Sequence, residues 1–327
     1  MTSQRILDIL VIGAGSIGCR HAANLAALGA RIHLYDVAQE RVLSVCKDKG
    51  YKPLSDLDQS IKTTNYSGAI VCTPPHFHIS VSQKLADAGV DLFIEKPLSH
   101  SRDGVDHLIK TVRENDLVAM SGFNLRFEPG LQYIKRKLDV SKVAFALIEC
   151  GSHLPLWRPN VDYRSTYSAH RDMGGGIILD DVHELDYACW LFGYPNNTLC
   201  SYGQFSSFDI DVEDTADFRL IYPNRMVSIH SDYIQRSYTR KCKICMRNGY
   251  VLEWVFGDHV TEQHPEGDTS YFYKDGFNVN DMYIEEMKVF LSCINGRTQP
   301  ESDLSNASRI LNLALEAKSM NEGVFPR

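Results

Sequence analysis

The stretch from Leu7 to Asp36 constrains the fold more than any other part of the chain. It begins with the apolar run Ile9-Leu10-Val11-Ile12, which is typical of a strand buried on both faces of a parallel sheet. The run ends at Gly13-Ala14-Gly15-Ser16-Ile17-Gly18, and a helix with an apolar side follows. A second strand, Ile32 to Tyr35, leads to Asp36. This order predicts a strand-helix-strand unit.

The glycine spacing suits a dinucleotide-binding turn. Gly13 allows the tight turn, Gly15 lets the backbone approach a pyrophosphate, and Gly18 lets helix and strand pack closely. The amides at the helix N-terminus, together with the positive end of the helix dipole, attract the phosphate without a cation. We therefore assign Gly13 to Gly18, including Ser16 and Ile17, to a cofactor site.

Asp36 predicts which dinucleotide is bound. It lies eighteen residues after Gly18, close to the spacing of about 20 at which a carboxylate accepts hydrogen bonds from an adenosine ribose. Such a carboxylate repels a 2′-phosphate, and Val37-Ala38 supplies no nearby cation to offset it. The prediction is NAD rather than NADP. In the alternative interpretation, Asp36 only caps the next helix.

Strands and helices alternate up to about residue 123. Apolar strands end at Thr73-Pro74 and at Glu95-Lys96-Pro97, just as the first apolar run ends at the glycine turn. Ligands bind beyond the carboxyl ends of strands in such sheets. We predict a Rossmann domain over residues 1–123, with a doubly wound parallel sheet.

The pattern changes from about Asn124. Long segments of β-forming residues, joined mainly by turn residues, predict a large, mostly antiparallel open sheet. One helix interrupts them between Gly176 and Gly193, and two more close the chain. Residues 124–327 are therefore predicted to form a second, α/β domain.

Composition and net charge limit the classes of partner that we expect the protein to bind. A hydrophobic content of 44% over 327 residues is enough for two cores, and a net charge of −7 without a basic run argues against nucleic acid and anionic membranes. The N-terminal apolar stretch runs straight into the glycine turn, so we expect no signal peptide. The nine scattered cysteines suggest reduced thiols in a cytoplasmic protein.

The interrupting helix carries the first candidate for catalysis. Asp180 and His183 lie at positions i and i+3, where a carboxylate can orient an imidazole and raise its basicity. Such a histidine is a suitable general base near pH 7. Helical periodicity alone favours a solvated polar face, but Gly174-Gly175-Gly176 permits close approach of another element. A metal pair is a weaker interpretation because no third ligand stands out nearby, and no metal is predicted.

Lys96 is the second candidate. A lysine at the carboxyl end of a strand can donate to a hydroxyl or to a developing alkoxide. Taken alone, it could equally contact the cofactor or lie on the surface.

Together these motifs resemble the Gfo/Idh/MocA family, named for glucose-fructose oxidoreductase and inositol dehydrogenase. The similarity extends over nearly the whole chain and rests on GAGSIG, TPPHFH, EKP, NLRFEP and GGGIILDDVHELD. It implies a Rossmann domain and, over residues 124–327, an α/β domain with a large open sheet that serves substrate binding and often oligomerisation. The resemblance further implies a role for Lys96 at both substrate and nicotinamide. It also implies that the helix aspartate and histidine serve substrate binding and proton transfer. The matching motifs add further residues to the predicted cofactor site: Thr73, Pro74, His78, Glu95 and Lys96.

The chain departs from the family at one point. The common pattern has an offset of four between the aspartate and the histidine, whereas Asp180 and His183 are three apart, with Asp181 and Glu184 as additional carboxylates. His183 is therefore assigned as the base more firmly than any one carboxylate is assigned as its partner. Polyols and sugar acids need many hydrogen bonds, and a guanidinium suits a carboxylate. Further residues are therefore plausible on the substrate side, although each could be structural: Asn124, Arg126, Trp157, Arg158, Tyr163 and Arg164.

The preferred prediction is an NAD-dependent dehydrogenase acting on a sugar, sugar acid, nucleotide sugar or cyclitol, with His183 as base and Lys96 stabilising the oxygen. A second interpretation retains NAD for transient oxidation during epimerisation, elimination or glycoside cleavage. A third is a non-catalytic NAD-binding regulator, against which the presence of both Lys96 and His183 argues. We expect a homodimer or homotetramer.

Overall fold

The computed structural model describes residues 6–267, 269–273 and 276–319. The described chain forms two compact units. The first contains the residues up to Phe123 together with Asn280–Ser308, and the second contains Asn124–Val279 together with the residues from Arg309 onward.

The first unit is built on a six-stranded parallel sheet in the order β3-β2-β1-β4-β5-β6. Its strands are β1 (Asp8–Ile12), β2 (Arg31–Tyr35), β3 (Lys52–Leu54), β4 (Gly68–Val71), β5 (Leu92–Glu95) and β6 (Ala119–Gly122). The helices between them are α1 (Ser16–Ala27), α2 (Gln39–Lys49), α3 (Leu57–Thr63), α4 (His78–Asp87) and α5 (Val105–Glu114). This is the strand order of a dinucleotide-binding Rossmann sheet.

The second unit is built on an eight-stranded sheet in the order β14-β13-β12-β11-β7-β10-β9-β8. Its strands are β7 (Val143–Gly151), β8 (Asn197–Gly203), β9 (Thr215–Ile221), β10 (Met226–Asp232), β11 (Thr239–Met246), β12 (Val251–Val255), β13 (His259–Gln263) and β14 (Thr269–Tyr273). The helices that follow β6 along the chain are α6 (Pro129–Lys137), α7 (Ile177–Asp180), α8 (Val182–Phe192), α9 (Val279–Gly296) and α10 (Leu304–Ser319). All strand pairs are antiparallel except β7 with β10.

The two faces of this eight-stranded sheet differ in burial. Along β9 and β10, Phe218, Leu220, Val227 and Ile229 are buried, and α7 and α8 pack against these strands. Residues that alternate with buried ones on the sheet include large apolar side chains with two fifths to half of their surface exposed: Phe145, Leu147, Leu199 and Met226. One face is therefore covered by helices, while the other is open.

The unit boundaries differ from the predicted continuous division in one respect. The first boundary falls after Phe123, but Asn280–Ser308 belongs to the first unit. A Cβ at Gly68 on β4 would lie 2.9 Å from Ile294 and 3.3 Å from Phe290, which shows how closely α9 packs on the Rossmann sheet. An amphipathic helix does not reveal from its own sequence which sheet it covers.

Candidate active site

Close contacts shape the glycine turn between β1 and α1. Gly13 has a φ of +104°, and a Cβ there would lie 2.5 Å from the carbonyl oxygen of Cys72. A Cβ at Gly18 would lie 1.8 Å from the carbonyl oxygen of Gly13. At Gly15, by contrast, no atom of the described residues lies within 4 Å of the Cβ position. The turn therefore has the shape that admits a pyrophosphate at the start of α1.

Asp36 links the end of β2 to this turn. The amide of Ala14 donates to Asp36 Oδ2 at 2.7 Å, and the amide of Ala38 donates to Oδ1 at 2.8 Å. The expectation that no cation lies nearby is wrong, because Nη1 of Arg41 lies 3.7 Å from Oδ2. The sequence argument considered only the residues directly after Asp36, whereas the first turn of α2 brings Arg41 back toward the carboxylate.

His78 joins two of the strand-end loops. It is buried, with Nε2 at 2.7 Å from the carbonyl oxygen of Thr73 and Nδ1 at 2.9 Å from that of Pro97. Burial lowers the pKa of His78, although both carbonyl oxygens act in the opposite direction. Both ring nitrogens therefore contact the main chain of these loops, which positions Thr73, Pro74 and the segment after Lys96.

Lys96 follows the last residue of β5 and is half-buried. Its main-chain amide donates to Oε2 of Glu95 at 3.1 Å, and the Lys96–Pro97 peptide bond is cis. Glu95 is buried, and its other oxygen lies 2.6 Å from Nε2 of His21. The carboxylate of Glu95 thus serves protein groups on both sides, which favours a structural role for it over direct contact with a cofactor.

The predicted catalytic helix is divided in two. Asp181 separates α7 from α8 with φ −95° and ψ 28°, so His183 lies in the first turn of α8. The polar side of these helices is not solvated: Asp180, His183, Glu184 and Tyr187 are all buried. The interpretation as a solvated face is therefore wrong.

Asp180 is held by two tyrosines. Its Oδ1 accepts from the hydroxyl of Tyr167 at 2.8 Å, and its Oδ2 accepts from the hydroxyl of Tyr233 at 2.5 Å. Burial raises the pKa of both tyrosines well above the usual value, so they remain donors. Both were missed in the sequence because they lie far from Asp180 along the chain and belong to no motif.

The glycines before α7 allow this close packing. A Cβ at Gly175 would lie 2.3 Å from the carbonyl oxygen of Tyr167. Gly176 has a φ of +107°, and a Cβ there would lie 2.4 Å from Oε1 of Glu213. The glycines therefore allow the segment carrying Tyr167 to approach the start of α7.

The two additional carboxylates of the helix pair share one arginine. Nε of Arg240, on β11, lies 2.8 Å from Oε1 of Glu184, and its Nη2 lies 3.7 Å from Oδ1 of Asp181. Ligand atoms of Cys150, Asp181 and Glu184 lie within 4.8 Å of one another, as in a metal site. The guanidinium already supplies the positive charge there, and burial raises the pKa of the Cys150 thiol. The cluster is better explained as an internal ion-pair network than as a metal site.

The predicted substrate-side residues fall into two groups. Arg126 is buried and forms a bidentate pair with Asp186, with Nε to Oδ2 at 2.9 Å and Nη2 to Oδ1 at 2.5 Å. Arg164 is exposed and pairs with Asp162 at 2.7 Å. Asn124 is buried at the start of a 3-10 turn before α6. Because Arg126 and Arg164 are each paired with an aspartate, a structural role is favoured for both.

Trp157, Arg158 and Tyr163 instead line one shallow cleft. Nε1 of Trp157 donates to Oγ of Ser152 at 2.9 Å, and its ring packs edge-on against Tyr233. The guanidinium carbon of Arg158 lies 5.7 Å from the ring centre of Tyr167. The cleft therefore lies beside both tyrosines that hold Asp180.

Comparison with known proteins identifies the family to which the chain belongs. A model of an oxidoreductase family with an NAD-binding Rossmann fold matches residues 7–123, and a model of the GFO/IDH/MocA C-terminal domain matches residues 146–268. The chain belongs to the Gfo/Idh/MocA oxidoreductase family. The predicted family, the fold class and NAD as cofactor are thereby confirmed, and this family member is an oxidoreductase.

Relatives of this Gfo/Idh/MocA oxidoreductase include dehydrogenases. A myo-inositol 2-dehydrogenase from Thermotoga maritima is 26% identical over 340 residues, covering 97% of this chain and 96% of the relative. A structure of a UDP-N-acetylglucosamine 3-dehydrogenase from Acidithiobacillus ferrooxidans has a TM-score of 0.82 at 20% identity, covering 97% and 98% of the two chains. A levoglucosan dehydrogenase in complex with NADH and levoglucosan has a TM-score of 0.86 at 16% identity, with the same coverage. These two structural matches establish the fold.

Proposed function

We propose that this Gfo/Idh/MocA oxidoreductase is an NAD-dependent dehydrogenase of a secondary hydroxyl on a sugar, sugar acid, nucleotide sugar or cyclitol. The relatives named above are dehydrogenases of myo-inositol, UDP-N-acetylglucosamine and levoglucosan. The observation that carries the proposal is a buried His183 in the first turn of α8, three residues after an Asp180 that two tyrosine hydroxyls hold in place. A buried imidazole that follows a rigidly held carboxylate along the chain suits a general base.

His183 accepts the proton of the substrate hydroxyl. Lys96 donates to the same oxygen as negative charge develops on it, which stabilises the transition state. NAD, when bound, would supply at its nicotinamide C4 the acceptor for the hydride that the carbinol carbon gives up as it becomes a carbonyl carbon. Gly13, Gly15, Gly18 and Asp36 hold the dinucleotide.

Arg158 favours a substrate with an anionic group. It lies in the cleft beside Tyr167, and within the described part of the chain it forms no ion pair with a carboxylate. A guanidinium in that position can bind the carboxylate of a sugar acid or the phosphate of a nucleotide sugar. Arg158→Ala should raise the KM for an anionic substrate about tenfold or more, while Arg164→Ala, whose guanidinium already pairs with Asp162, should change it little.

The test is a screen of polyols, sugar acids and nucleotide sugars that follows NADH absorbance, with mass analysis of any cofactor that copurifies. Steady formation of NADH with one substrate class supports the proposal. Conversion of a substrate to an isomer or elimination product without net NADH, on retained NAD, supports transient oxidation instead. Binding of NAD with no chemistry on any substrate contradicts the proposal and supports a regulator.

A further inference from the structure

His21 lies inside the first unit, on the helix that begins at the glycine turn. Its side chain has no solvent exposure, and its Nε2 lies 2.6 Å from Oε1 of Glu95. The contact joins residues 74 positions apart, on α1 and at the end of β5. The helix that starts at the cofactor turn is therefore tied to the strand end that carries Lys96.

The second oxygen of Glu95 continues the connection. Oε2 accepts from the main-chain amide of Lys96 at 3.1 Å. Gly122, paired in register with Glu95 on β6, leaves room for this arrangement, because a Cβ there would lie 3.1 Å from Oε2. One carboxylate thus bridges the ring of His21 and the backbone of Lys96.

The ring of His21 is fixed by packing. Phe93 and Tyr283 contact it edge-on, with ring centroids at 5.1 Å and 5.7 Å. Among the described residues Nδ1 has no hydrogen-bond partner, so we assign the ring proton to Nε2, which donates it to Glu95. The orientation of the Glu95 carboxylate therefore depends on this donor.

We propose that His21 is a positioning residue for Lys96: by holding Glu95, it fixes the main chain of Lys96 with respect to the helix that begins at the cofactor turn. This inference rests on the proposed role of Lys96 in turnover. A small displacement of a reacting group is enough to lower a rate strongly, because catalysis depends on alignment. His21 acts only through Glu95 and is not itself a reacting group.

The first unit offers a matched control. His33 on β2 is also buried, its Nε2 lies 2.8 Å from Oδ1 of Asp8, and its ring packs edge-on against Tyr66 at 5.1 Å. It is the same kind of histidine–carboxylate pair in the same sheet. The other contacts of the Asp8 side chain are with Arg31, so this pair has no connection to Lys96.

The experiment compares His21→Phe, His21→Gln and His33→Phe in the full chain. Phenylalanine keeps the ring packing and removes the donor, whereas glutamine keeps a donor at similar reach. Hydrogen exchange of the Lys96 amide, measured by NMR, reports the positioning directly and needs no substrate. We expect exchange to rise about tenfold or more in His21→Phe, to be largely restored in His21→Gln, and to stay unchanged in His33→Phe.

Kinetics complete the test. In His21→Phe the kcat should fall about tenfold or more, while the Kd for NADH stays within about threefold of wild type. Unchanged exchange at Lys96, or an equal effect of His33→Phe, would overturn the inference. Faster exchange with unchanged kcat would also overturn it. If Lys96→Ala keeps full activity as well, the error lies in the role proposed for Lys96 rather than in its attachment to His21.

Discussion

At the scale of single residues, we propose that Asp36 and Arg41 decide the nucleotide preference. In the wild type the carboxylate repels a 2′-phosphate, and Arg41, 3.7 Å away, pairs with that carboxylate. Asp36→Ala removes the repulsion and frees the guanidinium, so the ratio of NADPH to NADH affinity should rise about tenfold or more.

Fluorescence titration with NADH and NADPH measures this change. The matched control is the double variant Asp36→Ala with Arg41→Ala, in which the gain for NADPH should largely disappear. Equal or tighter binding of NADPH by the wild type would refute the NAD assignment.

The sequence predicts single residues best where a motif imposes the local geometry. The roles of Gly13 and Gly18 follow from the spacing of the turn, and the structure shows contacts at both that a side chain would block. Tyr167 and Tyr233 could not be found in this way, because each reaches Asp180 through tertiary structure. Arg41 was missed because its approach to Asp36 depends on the first turn of α2. Arg126 and Arg164 were chosen for their chemistry, but chemistry does not reveal which carboxylate already occupies a guanidinium.

At the scale of elements, the start of α8 is held by a buried ion-pair network. Glu184 and Asp181 share Arg240, and burial raises the pKa of Glu184 from 4.5 to about 7. Folded Glu184 therefore holds its proton more tightly than unfolded Glu184. Its contribution to the free energy of unfolding is fully present below about pH 4.5 and is lost as the pH rises through about 7.

Glu184→Gln should abolish this part of the pH dependence. Urea unfolding of wild type and variant between pH 4.5 and 8 measures it. Glu285→Gln on the exposed surface of α9 is the control and should leave the slope unchanged. Retention of the wild-type slope in Glu184→Gln would show that another group titrates there.

How well a helix or strand can be located from the sequence depends on how its side chains are buried. β1, β4 and β5 of the Rossmann sheet are short continuous apolar runs because both faces are covered, and these strands were located from sequence. β3 was noted only as a short segment, because Lys52–Leu54 is short and largely exposed. α6 and β12 to β14 were not located; each of these strands has only five residues, and Glu253, Thr261 and Ser270 interrupt their apolar runs. α6 did have a signal: Pro129 at its first position and Glu128 as cap, whose side chain accepts from Leu131 N. The break at Asp181 has no such signal.

At the scale of the whole molecule, the open face of the second sheet predicts self-association. Phe145 and Met226 are neighbours in register on β7 and β10, and each has about 40% of its surface exposed. Apolar groups on an open sheet favour burial against a second copy. We expect a dimer or tetramer at micromolar concentration.

Light scattering tests this prediction. Phe145→Lys should shift the protein toward monomer, while Leu43→Lys on the exposed side of α2 should not. A wild type that is monomeric at micromolar concentration would contradict the expected assembly.

The remaining predictions about the whole molecule concern membrane insertion, the state of the cysteines, location and nucleic-acid partners. None of the helices within the described ranges combines the length and apolar character of a bilayer-spanning segment. All nine cysteines are free, including Cys242 and Cys245 on β11. A cytoplasmic location and the absence of nucleic-acid partners stay predictions.

We propose that the glycine turn and Asp36 bind the cofactor, whereas His183 and Lys96 carry out the chemistry. The most direct measurement is kcat/KM together with the Kd for NADH in His183→Asn, on the best substrate from the screen. We predict that kcat/KM falls by about 10²–10⁴ while the Kd for NADH stays within about threefold of wild type. A variant with near wild-type kcat/KM, or one whose NADH affinity falls as much as its rate, would contradict the account.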